Sequence, residues 1–207
     1  MVAEWQEFQR NESMPALKKG GVKERQTWQT ANFGEAYEYV FVSPIEDFAQ
    51  FDGDSAVVKA LGQEGARAYL AKARRMIVAS HSYAVQERPD LSYEGTMTGP
   101  PKLAVVASVS VAAGKNAAFE SFIKSDVVPI MKKANVSGYF VNQTMLGGNA
   151  NEYVTLTFYD SFAEIGRGLP FLRILGPAGY ERFLQKTAGL VTNLERTVMR
   201  YVPGLSF

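Results

Sequence analysis

Three observations predict an α+β fold made of two tandem units of the β-α-β-β-α-β kind, the first without its opening strand. The chain repeats a phrase: Pro89-Asp90-Leu91-Ser92-Tyr93 returns 114 residues later as Pro203-Gly204-Leu205-Ser206-Phe207. Carried back without a gap, that offset pairs residues 1–93 with 115–207 and matches 23 of 93 positions, where unrelated chains of this composition would match roughly six. Within each copy, helical apolar spacing and strand-like alternation follow one another in the same order. A strand pattern then stands before the second copy with no counterpart before the first.

Residues 3–19 read as an amphipathic helix, with Trp5, Phe8 and Leu17 apolar and Glu4, Gln6, Glu7, Arg10 and Lys18 polar. Residues 116–134 repeat the design with Phe119, Phe122, Ile123, Val127, Ile130 and Met131. Pro15 and Pro129 fall at equivalent places, which predicts one kinked helix in each copy, bent near Met14 and Val128. The paired lysines Lys18-Lys19 and Lys132-Lys133 close these helices, where positive charge suits the dipole. A hairpin follows in each copy. Residues 22–30 and 37–43 flank Ala31-Asn32-Phe33-Gly34, and residues 136–145 and 152–158 flank Gly147-Gly148-Asn149-Ala150.

The last strand of the second hairpin alternates, with Val154, Leu156 and Phe158 on one side and Tyr153, Thr155, Thr157 and Tyr159 on the other. The aliphatic side is expected to face helices and the aromatic and hydroxyl side a half-polar space. Each copy continues with a short helical piece, a Leu-Gly break (Leu61-Gly62, Leu175-Gly176), a longer helix and a last strand ending in the repeated phrase. Residues 94–101, with Gly95, Gly99, Pro100 and Pro101, form a linker, and residues 102–112 form a strand with Val105, Ala107, Val109 and Val111 on one face. The domain boundaries are thus 1–93, linker 94–101, and 102–207, the second copy being a complete ferredoxin-like unit.

Composition narrows the function. With 46% hydrophobic residues, 207 residues can bury a sizeable core. Lys+Arg 22 against Asp+Glu 21, with no basic block, argues against a nucleic-acid partner. The absence of cysteine removes disulfides and thiolate chemistry but leaves the compartment open. No apolar run suits a bilayer and residues 1–6 lack signal-peptide character, so the chain as given is expected to be soluble and without a membrane partner.

A duplicated β-α-β-β-α-β unit with a Pro-bent first helix and a split second helix resembles the dimeric α/β-barrel superfamily, which includes antibiotic-biosynthesis-monooxygenase-like, NIPSNAP-like and EthD-like domains. The repeated Pro-x-Leu-Ser-aromatic ending is most similar to bacterial members of that group. The resemblance implies a barrel supplied by one chain, a small-molecule pocket between sheet and helices or inside the barrel, and a homo-oligomer as one possible assembly. It also implies that the first copy's sheet lacks its central strand, leaving unpaired N–H and C=O groups. Three readings of that slot stand: residues upstream in the natural protein fill it, another chain's strand fills it, or the fold has rearranged. The first would allow export behind a removed signal peptide.

The candidate ligand-binding residues are Arg25, Trp28, Tyr39 and His81, with Arg196 and Arg200 as weaker anion ligands. His81, the only histidine, and Trp28 are the catalytic candidates, His81 because imidazole titrates near neutrality. Arg25, Gln26 and Trp28 stand where the second copy has Tyr139, Phe140 and Asn142, a larger divergence than elsewhere in the strands. It points to a pocket kept in the first copy, and cofactor-independent oxygenases of the resembled group hold aromatic substrates with Trp and polar groups. A multi-histidine metal site is excluded by count. Haem is not expected, since haem-binding relatives place their histidine in the second half, and no other cofactor is implied. The expected function is a small-molecule-binding protein, as a cofactor-free monooxygenase-like or isomerase-like enzyme on an apolar or aromatic substrate. The alternative is a non-catalytic interaction or assembly protein that associates through its barrel or the vacant strand slot.

Overall fold

The computed structural model describes residues 1–97 and 99–207; Thr98, inside the predicted linker, lies outside the described residues. The chain forms two compact units. The larger takes in Thr30–Gly34 and His81–Arg200, the smaller Met1–Gln29, Glu35–Ser80 and Tyr201–Phe207.

The larger unit is built around β4 (Leu103–Val111). Its alternating Val and small residues pair antiparallel along their whole length with β6 (Glu152–Tyr159) on one side and β7 (Val191–Tyr201) on the other. β5 (Tyr139–Leu146) pairs with β6, and β3 (Ala84–Glu87) adds outside β5. The order β7-β4-β6-β5 is fourth-first-third-second, as a ferredoxin-like unit requires. The helices α4 (Asn116–Phe122), α5 (Val128–Lys133), α6 (Phe162–Ile165) and α7 (Pro170–Thr187) complete it. Phe119, Phe122, Ile123, Val127, Met131 and Phe183 from the helical segments bury against Ala107, Val109, Val141 and Tyr153 from the sheet.

The smaller unit holds α1 (Val2–Phe8), α2 (Met14–Lys19), α3 (Ala56–Arg74) and the antiparallel pair β1 (Gln26–Thr30) and β2 (Tyr39–Val42). Among the described residues α1 is the first element. In both copies the proline is accommodated by a π-helical turn, Gln9–Ser13 or Ile123–Val127. There the Met14 and Val128 N–H groups reach back five residues to the Gln9 and Ile123 carbonyls. The wider turn absorbs the missing donor and the bulk of the ring, so the helix continues without a break in helical dihedrals at the junction residues. The Leu-Gly breaks also coincide, with Gly62 at φ 70, ψ 174 and Gly176 at φ 67, ψ 174.

The repeated phrase packs differently from a cap on its own sheet. Tyr93 exchanges both backbone hydrogen bonds with Tyr139, at 2.7 Å each, and Phe207 does the same with Arg25, at 2.7 and 2.9 Å. The Ser92 hydroxyl donates to the Arg88 carbonyl and accepts from the Val141 N–H; the Ser206 hydroxyl donates to the Val202 carbonyl and accepts from the Thr27 N–H. Each phrase therefore seats on the second strand of the other sequence copy, with Leu91 and Leu205 fully buried beneath it.

Candidate functional site

One face of the larger unit's sheet meets the helices, and register decides which residues reach it. Thr155 stands opposite Ala107, Thr157 opposite Val105 and Tyr153 opposite Val109, while Arg196 stands opposite Ala107 across β7. The helix side of β6 is thus its aromatic and hydroxyl side, the reverse of the sequence expectation. The valines of β4 decide this: they face the helices, and antiparallel neighbours directly opposite share a face. The polar atoms are satisfied there. The Tyr153 hydroxyl donates to Glu120 at 2.7 Å, and Tyr139 shares a hydrogen bond with the Thr155 hydroxyl. Burial pushes both phenols' pKa values up, so both stay neutral at physiological pH.

Ala107, Thr155 and Thr157 are small for the middle of a sheet, and above them the helices leave a cleft of about 890 Å³, counting its open mouth. Its roof is aromatic. Phe183 stacks on Phe171 at 4.6 Å, meets Phe122 at 5.2 Å and lies 6.3 Å from Tyr180. Leu169, Pro170 and Phe171 at the start of α7 close one end, and exposed Arg196 stands on the rim. The lining holds no carboxylate and no imidazole. The arrangement can desolvate and sandwich a flat apolar molecule, offer it hydroxyl hydrogen bonds, and place one cation near its edge.

The residues singled out from the sequence lie elsewhere, apart from Arg196. Arg25 is buried in the smaller unit, donating to the Gln9 side chain and the Leu205 carbonyl at 3.0 Å each, with Phe41 stacked 4.6 Å from its guanidinium. Desolvation lowers its pKa from the ordinary guanidinium value. Arg25, Gln9 and Phe41 occupy the positions that Tyr139, Ile123 and Thr155 hold in the other copy. At the place of the larger unit's cleft-lining Tyr139 and Thr155, the smaller unit thus has a buried cation and a partly exposed ring over it. Tyr39 shares that face, its hydroxyl accepting from Gln6 at 2.8 Å. Trp28 points to the opposite face of β1, since it stands opposite Val40 whereas Gln29 stands opposite Tyr39; its ring meets Tyr201 at 5.3 Å. His81 belongs to the larger unit, exposed, with Nε2 2.8 Å from the Gly147 carbonyl. Arg200 is exposed on β7 opposite Leu103 and does not line the cleft. The four preferred residues do not converge, because alternation along β1 splits them and chain order puts His81 in the other unit.

The cleft is lined instead by residues that include Tyr139, Thr155, Thr157, Phe171 and Phe183, none of them a candidate from the sequence. Small hydroxyl residues opposite an alanine on a central strand were the available signal.

No protein-family model matches the chain, and no curated protein matches its sequence. Solved structures do resemble it. A protein from Lactobacillus acidophilus NCFM described as a candidate monooxygenase aligns with TM-score 0.54 at 10% identity, over 97% of this chain and 85% of its own. A second candidate monooxygenase, from Fusobacterium nucleatum, gives 0.55 at 12% identity over 96% and 83%. An anthrone oxidase-like protein gives 0.56 at 10% identity over 96% and 86%. The chain shares its fold with these structures, the ferredoxin-like, dimeric α/β-barrel type.

Proposed function

We propose that this protein binds a flat apolar or aromatic small molecule in the cleft of its larger unit, and that the second sequence copy of a tandem duplication carries this role. The observation behind the reading is the cleft itself: a ring-lined roof over a sheet floor of Ala107, Thr155 and Thr157. A cofactor-free monooxygenase-like reaction is the catalytic form of this reading, supported by the names of the proteins that share the fold. With no carboxylate or imidazole in the lining, the substrate would have to supply its own acidic C–H or O–H. Its anion, formed by loss of a proton to solvent at the open mouth and held near Arg196, would pass electrons to dioxygen. The proton returns as the peroxide intermediate loses water, so that a ring CH2 becomes C=O and one dioxygen ends as the new carbonyl oxygen and water. The chain's residues would bind, orient and exclude water.

The test is titration with N-phenyl-1-naphthylamine, a neutral ring system that fluoresces on desolvation. Saturable binding is expected. Ala107→Phe, which fills the floor of the cleft, should weaken it at least tenfold while circular dichroism stays unchanged. Equal binding by that variant would place the ligand elsewhere. The assembly reading draws on one observation, that β2 is an edge strand with exposed Phe41 and Val42. Concentration-dependent association abolished by Val42→Lys, with no naphthylamine binding, would favour it.

A further inference from the structure

A second, polar hollow adjoins the aromatic cleft in the larger unit, and Tyr159 lines both. Its walls include Asn135, Phe158 and Glu164 with Arg167 and Arg173, around roughly 470 Å³ counting its mouth. We propose that it is an anion subsite, taking a carboxylate or sulfonate carried by the aromatic ligand, so this inference rests on the cleft reading above. Arg173, on α7, is held in place by donating from Nη2 to the Ala134 carbonyl at 2.9 Å. Among the described residues neither Arg173 nor Arg167, both of which line the hollow, has a carboxylate within ion-pair distance. The one carboxylate in the lining, Glu164, accepts from the Asp160 N–H at 2.9 Å. Two guanidiniums against one carboxylate leave the hollow net positive, and a guanidinium fork matches a carboxylate or sulfonate.

The fold does not require most of these side chains. Where the second copy has Tyr159, Glu164 and Arg167, the first has Ile45, Gln50 and Gly53, while Arg173 corresponds to Lys59, which keeps the charge but not the guanidinium fork. A polar cluster dispensable to one copy of a repeated architecture is what a ligand subsite added to the other would look like.

The experiment compares two probes with one ring skeleton, neutral N-phenyl-1-naphthylamine and its anionic relative 1-anilinonaphthalene-8-sulfonate, on the full chain. The sulfonate should bind about tenfold more tightly than the neutral probe, and added salt should weaken the sulfonate alone. Arg167→Gln with Arg173→Gln should remove that advantage and leave the neutral probe's affinity within twofold, which also shows that the cleft is still folded. Arg173→Lys should restore part of it. If the neutral probe binds but the sulfonate shows neither advantage nor arginine dependence, the subsite is disproved and the cleft stands. If neither probe binds, the cleft reading fails and the subsite fails with it.

Discussion

At the scale of single residues, the most heavily bonded charged cluster among the described residues ties the first copy's end to the second copy's helix. The Arg88 guanidinium holds both Glu120 oxygens, with the Nη2–Oε2 bond at 2.8 Å, and also chelates Asp90, while Glu120 accepts from Tyr153. Hydrogen bonds from Arg88 are the largest cause holding both carboxyls below their ordinary range. A depressed carboxylate pKa stabilises the fold fully above the unfolded value, and the contribution disappears as pH falls through the folded values. Arg88→Met should therefore cost about 2 kcal/mol at neutral pH, or roughly 4–8 °C in Tm. Its deficit relative to the parent should shrink below about pH 4 as the carboxyls protonate; thermal melts across pH 2–7 would show it. A constant deficit at every pH would exclude the linkage. Nothing in the sequence disclosed this cluster, because Arg88, Glu120 and Tyr153 are separated by 32 and 33 positions and meet only once β3, α4 and β6 are in register. Its counterpart is legible only afterwards: Gln6 and Tyr39, at the same places in the first copy, meet without the charge and with the direction reversed, the Gln6 amide donating to the Tyr39 hydroxyl.

At the scale of elements, the 114-residue offset reproduces backbone geometry from one copy to the other. Gly62 and Gly176 both sit near φ 70, ψ 174, a region essentially closed to residues with a Cβ. Neither Cβ would meet a neighbouring atom, so strain and not crowding is the cost of substitution. Gly62→Ala and Gly176→Ala should each destabilise by about 1–3 kcal/mol, measurable by denaturant titration, and Gly53→Ala, also in open space without a positive φ, should be near neutral. Helices and strands were readable because their apolar periods survive in both copies, and the Leu-Gly breaks because glycine marks them. The π-helical turns were not: proline predicts a disturbed ladder, but whether the helix bends or widens depends on what packs beside it. The facing of β6 was misread for a related reason. Alternation fixes which residues share a face, and only the partner strand decides which face is the core.

At the scale of the whole molecule, the exchanged phrases divide the chain in a way that sequence order hides. The smaller unit needs Tyr201–Phe207 as well as its first residues, so the Arg25–Phe207 ladder closes across 182 positions. The larger unit takes its corresponding contact from Tyr93, 46 positions from Tyr139. Closing the longer loop costs more entropy and must wait for the end of the chain, so the smaller unit should order last. Leu205→Ala removes a fully buried side chain from that closure and should cost about 2–5 kcal/mol. Hydrogen exchange should then rise at the Arg25, Thr27 and Phe207 amides, while those of β4 and β6 keep their protection. Because the cleft is lined wholly by residues of the larger unit, deleting residues 203–207 should open the smaller unit yet leave N-phenyl-1-naphthylamine affinity within about twofold. A truncated chain that loses the probe would mean that the cleft depends on the C-terminal phrase, and that the binding role cannot be assigned to one unit.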